Sequence, residues 1–99
     1  MLTDKCLKDN HWIIEKVQEE NAKQLKKWGI QMHSPFEWIA FAAEELGETA
    51  KAISEYEYRD GPKAHVVDEA IQCATLLLKI AEMYDDSTWP DPMGDEGAW

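Results

Sequence analysis

Positive charge is scarce in this chain. Its 99 residues carry 10 Lys and Arg against 20 Asp and Glu, a formal net charge of −10, and Arg59 is the only arginine. A field of that sign repels phosphate backbones, which excludes passive binding to nucleic acid. Long apolar runs are also missing. No stretch approaches the ~20 residues that a membrane-spanning helix needs, so no membrane partner is expected. The opening Met1-Leu2-Thr3-Asp4-Lys5 has no apolar signal region, and the cytoplasm is the expected compartment. Cys6 and Cys73 are far apart and lack CxxC spacing, which reads as two small apolar side chains in a reducing environment rather than a disulfide. No β-type alternation and no internal repeat occurs. What the chain does have is apolar content, 44%, which is too high for a disordered acidic chain. Its length fits one domain whose small core leaves apolar surface uncovered, so self-association is expected. A phosphate compound as partner would need a divalent cation to neutralise both charges.

Glycine and proline punctuate the chain at two places, Gly29 with Pro35 and Asp60-Gly61-Pro62. Between them the apolar spacing predicts three helices. The first covers about 3–28, with Cys6/Leu7, Ile13/Ile14, Val17, Leu25 and Trp28 at helical spacing, Thr3 as N-cap and Gly29 just past the end. Asn21 and Gln24 continue its inward stripe, either facing water at a bundle end or lining a pocket. The second starts at Ser34-Pro35-Phe36-Glu37, where Ser34 and Glu37 have capping-box spacing and Pro35 occupies a tolerated first-turn position, and runs to about Tyr58. Ile39, Ala42, Ala43, Leu46, Ala50 and Ile53 form its main stripe. The third follows Pro62, from about Lys63 to Tyr84. The division is a helical domain over 1–84 and an acidic tail over 85–99 in which Trp89 and Trp99 could dock. The expected fold is all-α, a bundle of three main helices per chain completed by oligomerisation.

The informative residues are acids placed among apolar neighbours. On the second helix Glu45 and Glu48 share a face with Trp38, Phe41, Ala52 and Tyr56, while Glu37, Glu44, Lys51 and Glu55 fill the solvent side. On the third, Val66, Ala70, Cys73, Leu77, Ile80, Ala81 and Tyr84 set an apolar arc. Glu69 projects into that arc with Gln72 at its edge, and Asp68 points away alongside Thr75 and Lys79. Unpaired inward carboxylates cost several kcal/mol each, and clustering adds repulsion. A hard divalent cation, Mg²⁺ or Mn²⁺, offsets this and leaves positions open for phosphate oxygens and water. The alternative is a set of salt bridges across a subunit contact. Geometry alone thus reaches metal-assisted hydrolysis of a phosphate ester or anhydride.

The same residues resemble the MazG-like, all-α nucleoside triphosphate pyrophosphohydrolases, whose pattern is ExxE, a gap, then ExxD. Glu45-Leu46-Gly47-Glu48 matches the first half and Glu69-Ala70-Ile71-Gln72 the second, with Gln72 standing where the pattern has Asp. The likeness covers about 18–84. It includes Gln24 and the run Lys27-Trp28-Gly29, Gln31 and His33, which is similar to small phage-type and stand-alone members. The resemblance implies that Glu45, Glu48 and Glu69, with the Gln72 carbonyl, hold Mg²⁺ (or Mn²⁺ in its place), and that the three acids are catalytic. Glu44 would support them or substitute as a ligand; otherwise it is a solvated acid. The implied reaction converts a nucleoside or deoxynucleoside triphosphate to the monophosphate and pyrophosphate, in nucleotide-pool cleansing, by a homodimer or homotetramer. Trp28 could stack on a base or belong to the core. Gln24 or Gln31 could bond the base edge, Lys27 could meet phosphate, and His33 is either a loop residue or a pocket donor. Trp38 walls the pocket or packs on a partner subunit. A lost charge at Gln72 keeps a second reading open, a non-catalytic nucleotide- or protein-binding module with a degenerate metal site.

Overall fold

A computed structural model gives the fold, and the structure describes Lys8 and residues 11–85. Among the described residues, where Lys8 is also helical, three helices have described bounds: α1 (Trp12–Trp28), α2 (Pro35–Arg59) and α3 (Lys63–Met83). No strand occurs among the described residues. The helix ends follow local chemistry. Ser34 Oγ accepts from the Glu37 N–H at 3.2 Å and Glu37 Oε1 accepts from the Ser34 N–H at 3.0 Å, so the expected capping box forms, with Pro35 in the first turn. Gly29 follows α1 at a φ of 73°, a backbone region open to glycine, and donates its N–H to the Leu25 carbonyl. Asp60 takes the left-handed conformation after α2, and Pro62 caps α3.

The first helix differs from expectation. It starts at Trp12, after a non-helical His11, so the expected run is interrupted there, while Lys8 upstream is helical as expected. Thr3, Cys6 and Leu7 lie outside the described residues, as do Trp89 and Trp99 of the tail.

Packing rests on an antiparallel α2–α3 hairpin, with α1 set against α3. The cross-helix contacts fix the direction: Lys63 lies by Tyr56, Cys73 by Ala42 and Lys79 by Trp38. The face of α2 turned to α3 carries Trp38, Ala42, Glu45, Thr49, Ala52 and Glu55, all buried or half-buried. This corrects the expected stripe. Only Ala42 of that stripe is buried, while Ile39, Ala43, Leu46, Ala50 and Ile53 are exposed, Leu46 by 62%. Small side chains explain the choice, because Ala42, Ala52 and Thr75 let two helix backbones approach closely. Thr75, expected on the outer face, is the most buried of the four buried residues at 2% exposure. Its hydroxyl donates to the Ile71 carbonyl at 2.8 Å, and Thr49 donates to Glu45 in the same way. Each is buried with its polar group satisfied. Lys79, also expected to face water, is half-buried beside α1.

Candidate active site

Because α1 leans on α3 more than on α2, an open cleft of about 740 Å³ remains between α1 and α2. The α1–α2 connection forms one end, and α3 supplies Gln72, Leu76 and Lys79. Nine of the pocket and site candidates from the sequence line this cleft: Asn21, Gln24, Trp28, Gln31, His33, Trp38, Glu44, Glu45 and Gln72. Glu48, Glu69 and Lys27 lie outside the lining.

Glu45 is the centre of the acidic end. Its Oε2 is buried and has no hydrogen-bond partner among the described residues. Burial pushes the Glu45 carboxyl up to about 7, and a proton-mediated contact with Glu69 and the negative charges of Glu69, Glu48 and Glu20 add to the effect. Glu69 projects inward from α3 as its spacing predicts, with only 13% of its side chain exposed, and its Oε1 lies 3.1 Å from His65 Nε2. Glu48, expected inward on one face with Glu45, is instead exposed, because the α2–α3 contact passes through Glu45, Thr49 and Ala52, and it acts on Glu45 only through charge. No three His, Cys, Asp or Glu side chains among the described residues are drawn together at ligating separation. The groups with oxygens to offer a hard cation here are Glu45, Glu48, Glu69 and the Gln72 carbonyl, with Glu20 and Glu44 at the cleft wall.

The other end is aromatic and cationic. His33 meets the edges of Trp38 and Phe41 at centroid separations of 4.9 and 5.2 Å, and its Nδ1 is 3.7 Å from Glu37 Oε2. Glu37, fixed by the Ser34 backbone N–H, has its carboxyl held below the usual carboxylate range. Trp28 is 54% exposed rather than a core residue, and Lys27 Nζ stacks over its ring at 4.7 Å. Lys79 donates to Asn21 Oδ1 at 2.9 Å and lies 5.5 Å from the centre of the Trp38 ring. Burial in this position lowers the pKa of its ammonium group.

One contributor escapes a sequence reading. Glu20 joins the acidic cluster from α1 and accepts from Gln24 Nε2 at 2.8 Å. Its signal was its place one helical turn before Gln24, hence on the same face. Lys79, near Gln72 on α3, reads from the sequence as a solvated lysine that could reach a phosphate, and the structure turns it into the cleft. No family model, no curated protein and no solved structure matches the chain.

Proposed function

We propose that this chain is a Mg²⁺-dependent nucleoside triphosphate pyrophosphohydrolase of the MazG-like, all-α kind, working as a homo-oligomer. The observation that carries the reading is Glu45: a buried, unpartnered carboxylate oxygen among three further acids, at one end of a cleft walled by tryptophans and amides. A hard divalent cation fits that donor set, because it supplies the positive charge and the missing partner for Oε2 together. Glu45, Glu48 and Glu69 would hold it, with the neutral Gln72 carbonyl completing the set. When bound, the cation neutralises triphosphate charge and acidifies a water nucleophile.

The chain's own residues then have distinct tasks. Glu45, holding its proton to about pH 7, would give it up to hold a cation, which would couple loading to proton release. Trp28, 54% exposed, offers a flat face to a base, buried Trp38 backs the cleft wall, and Gln24, Gln31 and His33 bring polar groups to the base edge. The exposed stripe of Ile39, Leu46 and Ile53 supports the oligomer, since the described residues bury only Trp38, Ala42 and Ala52 as apolar core. Gln72 favours a second reading, a nucleotide-binding module without turnover, because the amide brings no charge to the metal and is a poor base. Product analysis separates the two. Canonical and modified triphosphates are incubated with Mg²⁺ or EDTA, for the wild type and for Glu48→Ala. The expected result is monophosphate plus pyrophosphate, abolished by EDTA and by the substitution. Binding without any turnover would select the module instead.

A further inference from the structure

The cleft's aromatic end carries a hydrogen-bonding pattern whose sense is fixed by charge. A lysine ammonium has donors and no acceptor. Asn21 therefore has to turn its Oδ1 to Lys79, which leaves the Asn21 Nδ2 hydrogens as donors for a ligand. The ammonium spends one of its three donors on Asn21. Gln24 is set the opposite way: its Nε2 donates to the Glu20 carboxylate, so its Oε1 remains as an acceptor. Asn21 and Gln24 are three residues apart on α1, hence on one face, and Lys79 rises from α3 over the Trp38 ring. All four side chains line the same cleft. Two donors beside one acceptor, in a cleft that also exposes the Trp28 ring, complement a planar ring that presents a carbonyl next to a ring N–H.

We propose that Lys79, Asn21 and Gln24 read the lactam edge of a nucleobase, so that the site prefers keto bases (uracil, thymine, guanine, hypoxanthine) over amino bases (cytosine, adenine). Lys79 and Asn21 donate to the ring carbonyl, and Gln24 Oε1 accepts from the adjacent ring N–H. In cytosine and adenine the corresponding positions are an amino donor and a bare ring nitrogen, which set donor against donor and acceptor against acceptor. The position along α3 suits a base rather than a phosphate. Lys79 is seven residues beyond Gln72, two turns or roughly 10 Å along α3, a span that a ribose and base can cover, with Glu20 bridging between the acids and Gln24. The inference rests on the nucleotide reading of the cleft but not on turnover.

The test is a binding measurement that needs neither metal nor hydrolysis. Tryptophan fluorescence of the full chain is titrated in EDTA with uridine, cytidine, inosine and adenosine, which carry no phosphate for the acidic chain to repel, for the wild type, Lys79→Met and Asn21→Asp. The wild type should bind uridine over cytidine and inosine over adenosine by about tenfold or more, the size expected when a half-buried donor loses its acceptor. Lys79→Met, which keeps an unbranched stem over Trp38, should bring the ratios near one. Asn21→Asp, which replaces the amide donor by an acceptor, should lower them. Equal affinities in the wild type, or ratios that survive Lys79→Met while all four affinities drop together, would overturn the inference, as would no binding of any of the four. Intact keto preference with no triphosphate hydrolysed would leave the base edge standing and remove the pyrophosphohydrolase reading alone.

Discussion

Replacing Glu45 by glutamine should make the metal-free protein more stable at alkaline pH, and the size of the gain follows from the carboxyl's surroundings. In the folded chain that group titrates at about 7 instead of 4.5. Between those values the folded state keeps a proton that the unfolded chain releases, so stability falls as pH rises through this window and stays reduced above it. The shift corresponds to roughly 3 kcal/mol. The cleft is open to water, and screening reduces this to about 2 kcal/mol. Glutamine removes the charge at nearly constant shape, and its amide hydrogens can donate to Glu69 in place of the shared proton. The assay is thermal unfolding by circular dichroism in EDTA. At about pH 8, Glu45→Gln should melt on the order of 10 °C above the wild type, whereas near pH 4, where both side chains are neutral, the difference should vanish. Adding Mg²⁺ near pH 8 should stabilise the wild type and leave Glu45→Gln unmoved, since the variant has lost the group whose charge the cation satisfies. A variant no more stable than the wild type near pH 8 would refute the reasoning. It would mean that Glu45 already has a compensating cation in solution, as a cross-subunit salt bridge would provide.

Two further outcomes test the parts around the site. Leu46→Glu places a charge in the middle of the exposed α2 stripe and should convert the proposed homo-oligomer to a monomer of unchanged helix content, read by light scattering and circular dichroism; a wild type that is already monomeric would remove the oligomer from the proposal. Ser34→Ala deletes half of the capping box at the entrance to α2 and should cost about 1 kcal/mol in denaturant unfolding. An unchanged midpoint would show that the Ser34–Glu37 pair is replaced by water without loss.

Local chemistry was legible in the sequence because it is decided within a few residues. The Ser34–Glu37 spacing, Gly29 and Pro62 mark helix ends that the structure places within a few residues of expectation, and the long apolar periods left no room for strands. The helix faces were not legible in the same way. Hydrophobic periodicity ranks faces by apolar content, so it chose Ile39, Leu46 and Ile53. The α2–α3 contact instead uses Ala42, Ala52 and Thr75, where small size permits close approach and the Thr75 hydroxyl is satisfied by its own helix. A polar label misled again at Lys79, whose stem reaches the Trp38 ring while only its tip needs a polar partner, found in Asn21. Glu20 became part of the cluster only through the docking of α1 on α3, which no single-helix pattern encodes.

Glu45 and Glu69 were nevertheless the readable part of the candidate site, and for a reason that also explains the cost they carry. A face that packs against another helix favours neutral residues, so Glu45 and Glu69 at half-buried positions conflict with their surroundings, and such conflicts collect at functional sites. The conflict is local. Thr49 and Thr75 on the same two helices satisfy their hydroxyls internally, whereas Glu45 Oε2 finds no hydrogen-bond partner among the described residues. An exchange that relieves the fold of this group therefore removes the feature that makes the cleft suited to a cation. Glu45→Gln should separate the two roles in one variant, gaining stability in EDTA while losing both the Mg²⁺-dependent stabilisation and the hydrolysis.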